Sequence, residues 1–318
     1  MSTNAGRISL WGYEPMTELT VVSTDKIQPI INLVCNAVTS DHTRRAYSRT
    51  LTDFMAWYAG AGQTGFSKAT VQAHVAALRA SGASASSINQ RLTAIRKLAY
   101  ELADNGIIDQ SQAQAISRAE GIRREGKRLG NWLNQEQAQR LIQLPDVATV
   151  KGLRDRAILA VLLGCGLRRE ECASLSVSHI QQREGRWIIV DLVGKRSKTR
   201  SVPMPSWAKY AIDCYMVAGA ITEGPLFRSM RKGDHLQPGA MTPQAIFDVV
   251  RSYAQQIGVE VRPHDLRRTF AKLAHKGSAP IEQIQLSLGH SSIQTTERYI
   301  GVQQDMSNAP CDVIGLKL

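Results

Sequence analysis

Between Arg262 and Gly301 the chain carries two histidines, an arginine and a tyrosine at spacings that suit work on a phosphodiester. His264 and Arg267 stand three apart just after Pro263, where a helix would start, so both side chains lie on one face. His290 follows the apolar run from Ile284 to Leu288 and a glycine. Tyr299 lies nine residues further on, in a short polar helix. In such a set the tyrosine is the nucleophile, the arginine clamps phosphate oxygens and the histidines move or share protons. Each pair alone is weak, since His-x-x-Arg occurs in many helices and a lone histidine fits a core position equally well. Metal ligation is the rival chemistry, but the histidines lie far apart and no Cys or Asp cluster completes a ligand set.

Several elements must bring these residues together. The helix HDLRRTFAKLAHKG buries Leu266, Phe270 and Leu273; the next, from Pro280, turns Ile281, Ile284 and Leu288 inward. Upstream, Thr242 caps a helix with Pro243 at its first position and Ile246, Val249, Val250 and Tyr253 inward. Tyr253 is a rival nucleophile, which its apolar period marks as a core residue. Trp207–Ala218 reads as a helix and 224–241 as a loop. GRWIIVDLVGKRSKTRSVPMP reads as strand, basic turn, strand, with Trp187, Ile189 and Asp191 alternating. Lys195, Arg196, Lys198 and Arg200 crowd its turn as an exposed basic hairpin. Earlier still, Ala157, Ile158, Val161 and Leu162 mark a buried helix. Gly164 and Gly166 force a turn, and the chain re-enters a helix near Arg168. An arginine there can reach a phosphate, and Arg169 competes with Arg168 for that role. Asn134 and Gln137 form a capping pair for the helix that opens this half.

His264-x-x-Arg267, Leu288-Gly289-His290 and Tyr299, in this order and spacing, closely resemble the catalytic end of the tyrosine recombinases, or phage integrase family, and are similar to bacterial Xer-type and mobile-element integrases. The resemblance spans about residues 28–302. Gly166-Leu167-Arg168 with Glu171 matches a further family motif, which assigns the second phosphate clamp to Arg168 and leaves Arg169 on another face. The family also places a lysine on the hairpin. Gly194-Lys195 matches the start of that motif, with Arg196 where a second glycine is usual; Lys195 therefore takes the role and Lys198 is the runner-up. Arg268 occupies a position often held by histidine in relatives. The implied catalytic set is Arg168, Lys195, His264, Arg267, His290 and the nucleophile Tyr299. The implied reaction is metal- and ATP-independent DNA cutting and rejoining through a 3'-phosphotyrosyl link and a four-way junction, with no cofactor.

The amino-terminal half has a different pattern. Residues 28–116 read as a compact bundle, with Ser40 or Asp41, then Ser67, at helix starts and Leu51, Phe54, Val71, Val75, Leu92 and Leu98 inward. By resemblance this is the core-binding domain that grips DNA. Residues 1–27 read as a flexible arm, 117–131 as a basic linker, 132–302 as the catalytic domain and 303–318 as a tail that the family suggests is exchanged between protomers. The expected fold class is mainly α: a helical core-binding domain, then a mixed α/β catalytic domain with a small antiparallel sheet. Arg91, Lys97, Arg123, Arg124, Lys127, Arg128, Arg196, Lys198 and Arg200 are candidates for the DNA backbone.

The chain has 318 residues and a formal net charge of +12, which points to a polyanionic partner. No apolar run spans a membrane and the start lacks a signal core, so a cytoplasmic, nucleoid-associated, bacterial or phage-encoded protein is expected. The five cysteines, Cys35, Cys165, Cys172, Cys214 and Cys311, show no metal-type spacing and read as reduced thiols. Expected partners are double-stranded recombination sites, further copies of the chain (a dimer on one site, a tetramer at synapsis) and accessory DNA-bending proteins, with no membrane. The alternatives are a type IB topoisomerase-like nicking and closing enzyme, or a noncatalytic architectural DNA-binding protein.

Overall fold

The computed structural model describes residues 24–62, 65–123, 131–194, 199–231 and 233–301. The chain divides into two units, Met1–Lys127 and Arg128–Leu318. The architecture is mainly helical with small antiparallel sheets, as the sequence pattern leads one to expect.

The first unit contains α1 (Thr24–Asn36), α2 (Asp41–Gly60), α3 (Lys68–Ala80), α4 (Ala85–Asp104) and α5 (Gln110–Ser117). Ser40, Ser67 and Ser84 cap α2, α3 and α4 by accepting from the amides of Thr43, Thr70 and Ser87. Leu51, Phe54, Val71, Ile88, Leu92, Leu98 and Leu102 are buried between the helices. Two features differ from the sequence reading. Helix α5 is short and polar, and buries just Ala113 and Ile116, so it carries little periodic signal. The start of the expected linker is also bound to α4. The Asn89 amide donates to the Ile122 carbonyl and accepts from the Ile122 amide, both at 2.9 Å, and Arg96 Nη2 donates to the Ala119 carbonyl at 2.5 Å.

The second unit opens with α6 (Gln135–Gln143), whose Asn134 and Gln137 form the expected reciprocal cap. Next come α7 (Val150–Gly164), α8 (Arg169–Ala173) and a sheet in the order β1 (Ile180–Arg183), β2 (Arg186–Val193), β3 (Thr199–Pro203). The first strand of this sheet was not expected. The β2–β3 register shifts between Ile189 and Leu192, where Asp191 takes φ +55°; the bulge turns Asp191 outward and breaks the simple alternation. Helix α9 (Ser206–Ala218) follows. The stretch read as a loop is instead a hairpin of β4 (Arg228–Arg231) and β5 (His235–Ala240), whose polar, half-exposed residues show no period of two. The unit continues with α10 (Pro243–Gln256), α11 (Pro263–Lys276), α12 (Ile281–Leu288) and α13 (Ile293–Ile300).

Helix α7 is the hub, with Ala157 to Leu162 wholly buried. At its polar end the buried Asp155 carboxylate accepts from Arg154 (3.0 and 2.7 Å), Lys151 (2.8 Å) and the Tyr253 hydroxyl (3.2 Å). Arg154 also donates to the Arg228 carbonyl at 3.1 Å, tying the β4–β5 hairpin to the hub. Tyr253 is thus committed to a carboxylate, and its burial and that neighbouring charge both push its pKa up, the opposite of what a nucleophile needs. Helix α11 is pinned by Thr269, whose hydroxyl accepts from the Leu133 amide at 2.9 Å.

Gly166 sits in the left-handed region at φ +60°, and a Cβ there would stand 2.5 Å from Phe270 Cδ1 of α11. Gly166→Ala is expected to lower stability by about 1–2 kcal/mol from backbone strain alone, and by more once the Phe270 ring must shift. A lower urea midpoint together with slower DNA cleavage is the expected outcome; an unchanged midpoint would sink this account of the turn.

Candidate active site

Four local devices build the site. The Gly166 turn delivers Arg168 to the start of α8, where its amide donates to Glu171 Oε2 at 2.7 Å and its Nη1 to Oε1 at 2.6 Å. Pro263 opens α11, and Asp265 steadies that end by accepting from the Arg262 amide at 3.0 Å, which sets Arg267 on the buried face and His264 in the first turn, three residues before it. Helix α12 ends in Gly289 at φ +61°, a left-handed stop that turns the chain sharply into His290. Helix α13 then buries Thr296 and packs Tyr299 and Ile300 with Ala271 of α11 and Ile284 and Leu288 of α12.

These devices bring five of the expected catalytic residues into one cluster. Arg267 is 1% exposed and donates to the Gly166 carbonyl at 2.6 Å and to the Leu288 carbonyl. Arg168 reaches the same Leu288 carbonyl at 3.4 Å, so the two guanidinium groups converge beside the turn that carries His290. The Tyr299 ring lies edge-on between His264 and His290, with ring centres 5.3 and 5.2 Å away. Its hydroxyl is 3.1 Å from the His264 carbonyl and 3.2 Å from His264 Nε2. A phenol has one proton. If it donates to the carbonyl, Nε2–H donates to the phenol oxygen; if Nε2 is bare, it can take the phenol proton. The same pair therefore supports both a resting and a proton-accepting arrangement.

Electrostatics follow from burial and crowding. Burial first, then the Arg267 and Arg168 charges, push His290 down to about 4, so its ring is neutral at pH 7. Burial of its packed face, then the Arg267 and Arg268 charges, lower His264 as well, although the residue as a whole is exposed. Burial raises the Tyr299 phenol, while Arg267 and Arg268 pull the other way. Burial and Arg168 bring Arg267 down to about 10, which still leaves it charged at neutral pH. Burial alone would raise Glu171, but hydrogen bonds from Arg200 and the Arg168 amide, with both guanidinium charges, hold it at about 2.

The remaining expectations fare differently. Lys195, Arg196 and Lys198 lie outside the described residues, as do Arg124, Lys127 and Arg128. The base of the basic turn is described: Val193 pairs with Thr199 across β2 and β3. Arg200 corrects its expected placement on an exposed hairpin face. Its side chain is 11% exposed and faces inward, with Nη1 and Nη2 on the two Glu171 oxygens at 2.7 and 2.8 Å. Period two is the reason, because Arg200 shares its face with the buried Val202. In the helical unit Lys97 and Arg123 are exposed, and Arg91 is half-buried 3.5 Å from Asp53.

Two contributors were missed in the sequence. Arg268 lies over the Tyr299 ring, 4.9 Å from its centre. Thr296, wholly buried, holds His290 Nδ1 at 3.0 Å. A signal existed for each: Arg268 follows Arg267 and is four residues from His264, while Thr296 precedes Tyr299 by three on the same helix face.

Residues 131–306 match the profile described as the phage integrase family, and residues 31–106 match its N-terminal SAM-like domain. The chain belongs to the phage integrase family. The chain is 30% identical to the tyrosine recombinase XerD of Pseudomonas aeruginosa over 270 residues, covering 82% of this chain and 86% of the relative. It is 33% identical to XerC of Pelobacter propionicus over 276 residues, covering 84% and 86%. In fold it is similar to the XerH site-specific recombinase bound to palindromic difH substrate in a post-cleavage complex (TM-score 0.69, 18% identity, 90% of this chain and 82% of that one). The lambda integrase dimer bound to a COC' core site shares the fold (TM-score 0.67, 14% identity, 91% and 81%). The activity is that of the family, site-specific tyrosine recombination of DNA. Among the described residues no helix is long and apolar enough to cross a membrane.

The lowered His290 gives a pH prediction. Between the unfolded value of 6.5 and about 4, the unfolded chain binds a proton at this ring that the folded chain does not. Stability should therefore fall as pH drops through that window. His290→Gln is expected to flatten this part of the slope, read as the difference in urea midpoint between pH 7 and pH 4.5. An identical slope in both proteins would show that His290 titrates normally.

Proposed function

We propose that Tyr299 attacks a DNA phosphate in line, forming a 3'-phosphotyrosyl bond as the bond from phosphorus to the 5'-oxygen breaks. The electron pair of the breaking bond leaves with the 5'-oxygen, which takes a proton from Lys195. The Tyr299 proton passes toward His264. Arg168 and Arg267 hold the nonbridging oxygens where charge builds, and His290 donates a further hydrogen bond. The observation that carries this reading is the Tyr299 ring set between His264 and His290, its hydroxyl 3.2 Å from His264 Nε2, with Arg168 and Arg267 meeting at the Leu288 carbonyl beside the His290 turn. A free phenol, with a pKa of about 10, is a poor nucleophile at neutral pH, so a nearby proton acceptor and cations are what it needs. The 5'-hydroxyl of a partner strand then attacks the phosphotyrosyl link, Tyr299 leaves and regains its proton, and the backbone is restored. One phosphodiester is exchanged for another, so no nucleotide hydrolysis is required.

Each protomer supplies one tyrosine and cuts one strand. Exchange of all four strands of two duplexes, pair by pair through a four-way junction, therefore calls for a dimer on each site and a tetramer at synapsis. We assign residues 28–116 to gripping the DNA, with Arg91, Lys97 and Arg123 as backbone contacts. We further propose that the tail residues Val313, Ile314, Leu316 and Leu318, which lie outside the described residues, dock in trans. An apolar cavity of about 660 Å³ walled by α6, α7 and α9, with Trp207 and Tyr210 at its rim, supports this by offering a receptor surface. Ending the chain after Asp305 is expected to weaken synapsis and cleavage together, and full retention of both would place the tail in cis.

The chemical test is covalent trapping on nicked suicide duplexes without added metal. Wild type is expected to give a denaturant-resistant adduct that maps to Tyr299, and Tyr299→Phe none. Specific binding without any adduct, at every nick position, would return the protein to the architectural reading.

A further inference from the structure

Arg200 has no role in the reaction as derived above, yet among the described residues it is the most completely engaged cation beside the site. Its Nε donates to the Ser287 carbonyl at 2.9 Å, and its two terminal nitrogens take both oxygens of Glu171. Its stem passes over Gly289; a Cβ at that position would stand 2.9 Å from Arg200 Cδ. Arg200 thus links β3, the start of α8 and the turn that presents His290.

The acceptor capacity of Glu171 explains what this link achieves. A carboxylate offers about four lone-pair sites. Glu171 receives four donors: the Arg168 amide, Arg168 Nη1, Arg200 Nη1 and Arg200 Nη2. Arg267 Nη1 stands 4.0 Å from Oε2, close enough to feel its charge but without a hydrogen bond. Glu171 is 5% exposed, so water is a poor substitute for any donor it loses. If Arg200 were removed, half of the acceptor capacity of a buried, ionised carboxylate would be open. The nearest replacement donors are the remaining N–H groups of Arg168 and Arg267, the two residues assigned to the scissile phosphate. Carboxylate and phosphate would then compete for the same two guanidinium groups.

We propose that Arg200 is a positioning residue that saturates Glu171, so that Arg168 and Arg267 keep their free donors for the DNA phosphate. This rests on the roles proposed above for those two arginines. It differs from direct contact between Arg200 and the DNA backbone, the role its place beside a basic turn suggests.

The test combines Arg200→Gln, Glu171→Gln and the double variant in single-turnover cleavage of a suicide duplex, with DNA affinity measured across a salt series. Arg200→Gln should lower the cleavage rate about a hundred-fold, the scale of a small misplacement of catalytic groups, with DNA affinity and salt slope unchanged. Adding Glu171→Gln removes the competing charge, so the double variant should cleave about tenfold faster than Arg200→Gln alone, the scale of coupling between groups in contact. A purely structural defect would not be relieved by a second core substitution. Arg200→Lys keeps the charge without the two-pronged contact. It should show the same loss with the same relief, and it serves as the second probe if Arg200→Gln melts early. A salt slope reduced by about one with cleavage retained would make Arg200 a phosphate contact and overturn the proposal. A double variant no faster than Arg200→Gln would overturn it too. Wild type is the control for the underlying reading: without a Tyr299 adduct from wild type, the roles of Arg168 and Arg267 fail first. A wild-type adduct with an unimpaired Arg200→Gln defeats this inference alone.

Discussion

A buried carboxylate surrounded by guanidinium groups is the constraint on which the catalytic unit depends. Glu171 lies among Arg168, Arg200 and Arg267, which arrive from the start of α8, from β3 and from α11. Buried cations crowded without a counter-charge would repel one another and carry a large desolvation cost. One carboxylate relieves part of that cost and leaves the cluster net positive. The result suits a site built for a phosphodiester: it is tolerable while empty and still attracts an anion. It also explains why Glu171 stays ionised despite burial, since its hydrogen bonds and neighbouring charges outweigh desolvation.

The rest of the unit serves this cluster. Helix α7 supplies a dry hub, and the Gly166 turn at its end both delivers Arg168 and accepts from Arg267. The left-handed Gly289 lets Arg200 pass and places the Leu288 carbonyl where two arginines meet it. The small apolar group of Ala271, Ile284, Leu288 and Ile300 holds α13 so that Tyr299 reaches the same place. Near neutral pH the histidines beside it are neutral, which makes them partners for a phenol and its proton rather than additional cations.

Much of the site was legible because its residues lie on short continuous elements. His264 and Arg267 share one turn of a helix, Leu288-Gly289-His290 is a single helix stop, and Tyr299 follows within one more helix. Local spacing fixes the relation of residues within such pieces, and the order of the pieces along the chain carries the family resemblance. The β4–β5 hairpin and α5 were not legible, because short polar elements with few buried residues give no period to read.

The sequence by itself determined the chemical inventory, the caps and glycine stops, and the helical character of most of the chain, since these depend on neighbours within a turn or two. Tertiary structure alone decided that Arg267 is buried, that Tyr253 binds Asp155 while Tyr299 meets the histidines, and that Arg200 turns away from solvent to Glu171. Each of these outcomes is a contact between elements distant in sequence. The direction of a side chain along a strand or helix is local, but its partner is set by how strands register and helices pack, and no window of neighbouring residues contains that information.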